Sequence, residues 1–354
     1  MMFTKKISVH WLLVFVLIVS LGMGCFTPGV SAQTLSKEGW PKKITIAVVG
    51  GETGPSYPIL AGIGRMIEKY LGTSVNLTSA AGHDASNLMN KGQVQIMAPT
   101  SQSILDILHG TGPLKDLGPT PARAWLQAQI FGFDYITLNK SGIKSFSDFK
   151  GKIVCIGPSA TTSPDKVLNA LGTVYGFDIK SARVVKWDRP TEAYDGLKAG
   201  RFDVIQVQGI YPSAPTTELL LSSPGRILNV DDDHMAALKK QLPWLIQQII
   251  PAGTYKGSDK DTQTPAVAMF LVTHRDLPDS FVYAMTKMVW EHFDEFSTYH
   301  PAAKRFRAAD VAKIVDLSPY HTGAIKYYRE IGVWTKEMDQ RQAATLASIP
   351  PQAR

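Results

Sequence analysis

Short apolar runs alternate with stretches of helical period along most of the chain. "KKITIAVV" (42–49) precedes a helix near Tyr57 to Leu71, "SVNLTS" (74–79) precedes "DASNLMNKG" (84–92), and "VQIMAP" (94–99) precedes "SQSILDILHG" (101–110). Further on, "KIVCIG" (152–157) leads into "SPDKVLNALGTVYG", "ARVVKW" (182–187) into "PTEAYDGLKAG", and "FDVIQVQ" (202–208) into "PSAPTTELLLSS". Strands separated by helices of this length are joined by crossovers, which makes the sheets mainly parallel with helices on both faces. The strands are rich in Val and Ile without strict alternation, as expected when both faces are covered. After "AVAMFLVTH" (266–274) the pattern turns helical, through "DSFVYAMTKMVWEHFDEFSTYH" (279–300), "PAAKRFRAADVAKIV" (301–315) and "SPYHTGAIKYYREIGVW" (318–334). Phe281, Met285, Met288, Val289 and Phe293 recur at helical spacing and read as a core-facing stripe.

Four strand-like runs empty into turns of small and hydroxyl residues, each followed by a helix. They are "GETGPSYP" (51–58), "APTSQS" (98–103), "GPSATTSPD" (157–165) and "QVQGIYPS" (206–213). In the third, Ser163 suits an N-cap and Pro164 the first helical position. Open α/β sheets bind ligands at the carboxyl ends of their strands. The free N–H groups at a helix start, with hydroxyls beside them, hold anions without needing arginine. The four turns therefore read as walls of an anion cleft.

The N-terminus places basic Lys5 and Lys6 before the apolar run Trp11 to Leu21, then small residues with Val30 and Ala32 at the two cleavage positions. This is the order of a secretory signal peptide over residues 1–32, which exports the chain. Lipidation at Cys25 is the lesser alternative. Removal of the two lysines lowers the net charge from +7 to +5. "KRFR" (304–307), the densest basic run, reads as a solvated helix face and calls for no nucleic acid. Only Cys155 would remain, inside an apolar strand, so it reads as a buried thiol.

Enzyme motifs do not stand out. There is no Gly-x-Ser-x-Gly elbow, Walker A loop or His-Glu-x-x-His pair. "DDDH" (Asp231 to His234) has metal-ligand composition, but acids just ahead of the helical "MAALKKQL" suit the positive end of a helix dipole. Glu291, Asp294 and Glu295 are spaced as an exposed helix face. Gly62 and Gly64 lack the third glycine of a dinucleotide fingerprint. Neither a cofactor nor a metal is called for, and the expectation is a non-enzyme.

With these features in place, nearly all of the mature chain resembles the TAXI-type solute-binding proteins of TRAP transporters. "GETGPSYP" is similar to that family's Gly-Thr-Gly-Gly-x-Tyr-Tyr-Pro, and "SGIKSFSDFKGKIVCIG", "PAGTYKG" (251–257), "HPAAKRF" and "HTGAIKYYREIGVW" stand in the family's order. The resemblance implies an α/β, two-lobed periplasmic binding protein fold of type II-like form, each lobe a mainly parallel sheet flanked by helices. Residues 33–138 would begin lobe 1, 139–255 form lobe 2, and 256–354 return to lobe 1 with the C-terminal helices. It also implies a monomer that captures a small organic anion, such as glutamate or another carboxylate, and delivers it to TRAP membrane permease subunits. Gly51, Thr53, Gly54, Ser56, Tyr57, Thr100 and Ser101 would contact the solute from lobe 1, and Thr161, Thr162, Ser163, Gly209 and Tyr211 from lobe 2. Ser56 stands where the family has a tyrosine. Thr100, Ser101 and Gln102 replace a common Gln-Ser-Asp, and losing that acid favours a carboxylate without an amine. An exported sensor, or a periplasmic hydrolase or lyase on the same fold, is the alternative.

Overall fold

The computed structural model describes residues 36–48, 52, 56–80, 82–159 and 162–354. The signal peptide, Cys25, Gly51, Thr53, Gly54 and Thr161 lie outside these residues. The first part of the chain folds as β1 (Lys43–Val48), α1 (Tyr57–Met66) with a π turn at Ile67–Leu71, β2 (Ser74–Ser79), α2 (Gly82–Asn90), β3 (Ile96–Met97), α3 (Ser101–His109) and β4 (Ala122–Leu138). Then come β5 (Ile153–Ile156), α4 (Ser163–Tyr175), β6 (Arg183–Lys186), α5 (Pro190–Lys198), β7 (Val204–Gly209), α6 (Ala214–Ser222), β8 (Gly225–Ile227), α7 (Asp232–Gln241), β9 (Ile246–Ile250) and β10 (Thr262–His274). The chain closes with α8 (Asp279–Glu291), α9 (Phe293–Thr298), α10 (Thr322–Glu330) and α11 (Lys336–Ser348).

The strands form one sheet in the order β2-β1-β3-β10-β4-β7-β5-β6, with β8 on β4 and β9 on β10. Its two wings are parallel: β1 lies between β2 and β3, and β5 between β6 and β7. The long strands β4 and β10 run antiparallel to each other and carry the chain from one wing to the other. β10 pairs with β9 from Thr262 to Ala266 and with β3 only at Val272 and Thr273. β4 meets β7 only from Gly132 onward.

Helices cover both faces, as the apolar strand runs imply. Phe133 and Tyr135 of β4 pack with Val167, Leu168 and Leu171 of α4 and Met235 and Leu238 of α7. Ile136 and Leu138 pack on the opposite face with Ala193 and Leu197 of α5 and Leu219 and Leu220 of α6. This two-residue alternation is what a pleated strand imposes. The stripe on α8 is core: Phe281, Met285, Met288 and Val289 are all buried. Gly62 and Gly64 lie within α1, where a Cβ on Gly62 would come within 2.4 Å of the Tyr299 ring, so close helix packing explains that glycine.

One helical expectation is corrected. Residues 301–315 form no α-helix but two 3₁₀ segments, Pro301–Arg305 and Ala308–Lys313, with Arg307 extended between them at φ −135, ψ 128. Phe306 is buried against Phe296 with ring centroids 5.0 Å apart, and seating it turns the chain out of helical register. "KRFR" is accordingly not a helix face. Among the described residues no helix is long and apolar enough to cross a membrane.

Candidate functional site

The turns after β3 and β5 meet. Thr100 caps α3 with extended backbone, and its hydroxyl accepts the Ser103 N–H at 3.3 Å while the Ser103 hydroxyl accepts the Thr100 N–H at 3.1 Å. Each thereby satisfies a donor that a helix start leaves open. Ser101 is fully buried and accepts the Ala268 N–H of β10 at 3.2 Å, so its hydroxyl ties α3 to the sheet. At α4 the cap is Thr162, without a side-chain bond, and Ser163 is the first helical residue. This corrects the expected N-cap by one position and frees the Ser163 hydroxyl, which donates to Gln102 Oε1. The amino ends of α3 and α4, carried by opposite wings of the sheet, are thus in contact.

Ser56 and Tyr57 begin α1. Ser56 is buried and its carbonyl accepts the Leu60 N–H at 3.0 Å, but its hydroxyl makes no capping bond. The turn after β7 is anchored from behind, because the Ser213 N–H donates to the Tyr255 hydroxyl at 2.8 Å. Gly209 in that turn has a packing role. It stands opposite Gly132 of β4, and a Cβ on it would lie 2.3 Å from Asp134 Oδ2, while one on Gly132 would lie 2.4 Å from Oδ1.

Asp134 was not singled out from the sequence, although one acid in the apolar run "IFGFDYITL" is the trace of it. It is 1% exposed, and burial drives its carboxyl up to about 7 against the pull of the neighbouring Thr264 hydroxyl. Thr264 pairs with Gln248 across β10 and β9, and Gln248 Nε2 approaches the same point above Gly132 to 2.4 Å. Asp134 Oδ1, Thr264 Oγ1 and Gln248 Nε2 are all buried, and none closes a hydrogen bond of good geometry. A buried polar group left in that state costs roughly 1–3 kcal/mol.

Gln248 also lines a cavity of about 420 Å³ beside the β7 turn. Among the described residues Tyr211 is the one expected site residue in its wall, which continues through Gln129 and Ile130 of β4, Gln247 and Ile249 of β9, and Ile210. Arg305, Arg307, Asp310 and Lys313, from the segment expected to be helical, complete it. Lys313 pairs with Asp310 at 2.8 Å. Among the described residues neither arginine has a carboxylate partner.

The remaining chemical candidates resolve as structure. Asp231 caps α7, accepting the His234 N–H at 3.1 Å, and the His234 ring stacks on Tyr175 at 4.0 Å. Among the described residues no group of three or more His, Cys, Asp or Glu is placed to hold a metal. Cys155 is buried in β5, and burial pushes its thiol up to about 11, away from thiolate chemistry.

Two parallel wings joined by two long antiparallel strands, with helix starts facing each other across them, define the fold of a periplasmic binding protein. The structure matches a TctC solute binding protein from Polaromonas at a TM-score of 0.53 with 11% identity, over 82% of this chain and 98% of that one. The periplasmic aliphatic sulphonate binding protein SsuA from Escherichia coli is also similar, at a TM-score of 0.43 and 12% identity over 86% of this chain and 88% of that one. So is MatC from Rhodopseudomonas palustris with bound malate, at 0.43 and 12% over 86% and 100%. The chain belongs to the NMT1-like family, whose pattern matches residues 48–332.

Proposed function

We propose that this chain is a periplasmic solute-binding protein of the TAXI type, which captures a small organic anion between two lobes and delivers it to a TRAP membrane permease. The lobes are residues 33–138 with 256–354, and residues 139–255. The observation that carries this reading is the Ser163–Gln102 hydrogen bond, which brings the amino ends of α3 and α4 together from opposite wings. Helix starts present N–H groups and positive dipole ends, so a carboxylate between them is stabilised without a dedicated cation. Ser56, Tyr57, Thr100, Thr162, Ser163 and Tyr211, with Gly51, Thr53, Gly54 and Thr161, supply hydroxyls and backbone around it. The protein acts by closing on its solute, because the closed form alone contacts it from both lobes.

A thermal-shift screen of mono- and dicarboxylates, keto acids, amino acids, sugars and metal ions tests this. A solute at a hundredfold excess over Kd stabilises by about 2.7 kcal/mol, a shift of several degrees. Carboxylates are expected to give the shift; a response to sugars or metal ions alone removes the anion reading. Solute uptake into proteoliposomes carrying a TRAP permease tests delivery.

A further inference from the structure

The cavity beside the β7 turn carries an excess of positive charge that no carboxylate among the described residues pairs. Three cations face one carboxylate there, and Lys313 is already engaged by Asp310. Arg305 donates to the Pro212 carbonyl at 3.5 Å, and Arg307 to the carbonyls of Lys304 and Phe306 at 2.7 Å. Each guanidinium has five N–H donors, so both keep donors to spare. The buried Phe306 between them fixes their spacing.

The inner wall sets the rest of the occupant. Gln248 is 4% exposed and lines the cavity, with its Nε2 beside Asp134 and Thr264 above Gly132. Ile130, Ile210 and Ile249 make part of the lining apolar, and a volume of about 420 Å³ exceeds what a bare inorganic anion fills. The occupant therefore has a carbon skeleton as well as charge. Two arginines suit carboxylates, which they grip in planar forks.

We infer that this cavity binds a small organic acid with two or more carboxylates, held by Arg305 and Arg307. The site shares Tyr211 with the proposed cleft but lies apart from the contact between α3 and α4, and the inference does not rest on that contact.

Isothermal titration of the protein with citrate, succinate, acetate and inorganic phosphate tests it. Citrate and succinate are expected to bind saturably, more weakly as salt rises, with acetate and phosphate at least tenfold weaker. R305A/R307A is expected to lower citrate affinity at least tenfold while keeping the parent melting temperature, because both side chains are exposed. Citrate bound equally by R305A/R307A overturns the inference, as does absence of citrate and succinate binding at millimolar concentration. So does phosphate binding as tightly as citrate. A loss in Ser163→Ala with none in R305A/R307A overturns it too, while leaving the proposed function standing.

Discussion

Gly209 of β7 and Asp134 of β4 fit together only because residue 209 has no side chain: a Cβ there would stand 2.3 Å from the Asp134 carboxylate. Asp134 is held between strands on a fully covered face, so it has nowhere to retreat. Gly209→Ala should therefore destabilise the protein by about 1–3 kcal/mol, as overpacking does. Asp134→Ala in the same chain should recover part of the loss, and urea melts of the two single variants and the double variant would show a coupling above about 0.5 kcal/mol. Strict additivity would mean that the two residues do not meet.

The same carboxyl gives stability a pH dependence. Its folded pKa of about 7 lies above the ordinary value of 3.8. Between those values the folded state holds a proton that the unfolded state has released. Stability from this group is then complete below about pH 4, falls as pH rises toward 7, and levels off above it. Asp134→Asn should remove that slope, match the parent near pH 4 and melt higher at pH 8. Melting curves from pH 4 to 8.5 check this, and an unchanged slope in the variant would assign it to other groups.

Ser163 and Gln102 join the two helix starts by side chains alone. Under the proposed function the single Ser163 O–H, held by Gln102 in the free protein, turns to the bound carboxylate, so Ser163→Ala should weaken binding of the carboxylate found by thermal shift by tenfold or more, hydrogen bonds to charged groups contributing about 1.5–3 kcal/mol. Its melting temperature without solute should stay close to the parent's. Titration calorimetry on both proteins measures the difference; equal affinity would place the solute elsewhere.

Asp231 acts on α7 as a cap. Asp231→Ala should cost about 1 kcal/mol of stability. EDTA should leave the melting temperature unchanged, and a fall with EDTA that calcium restores would make the cluster a metal site.

The α/β class, both parallel wings and the apolar stripe of α8 were readable along the chain, because each depends on a period of two or 3.6 that local side chains enforce. The polar turns after β3, β5 and β7 were readable for the same reason: glycine, proline and hydroxyl residues end strands and begin helices through their own backbone preferences. β4 was not. Gln, Arg and Asp interrupt its apolar residues, and what extends it to 17 residues is pairing with β10, which lies more than a hundred positions away. The partner of Ser163 was equally invisible, since Gln102 is 61 residues distant and arrives only when the two wings come together. "KRFR" shows the limit most plainly. Its charge was evident, but a helix was expected until burial of Phe306 against Phe296 took the segment out of that period and brought Arg305 and Arg307 beside β9. Local propensity determined the elements; packing of residues distant in the chain decided which charges and hydroxyls share a site.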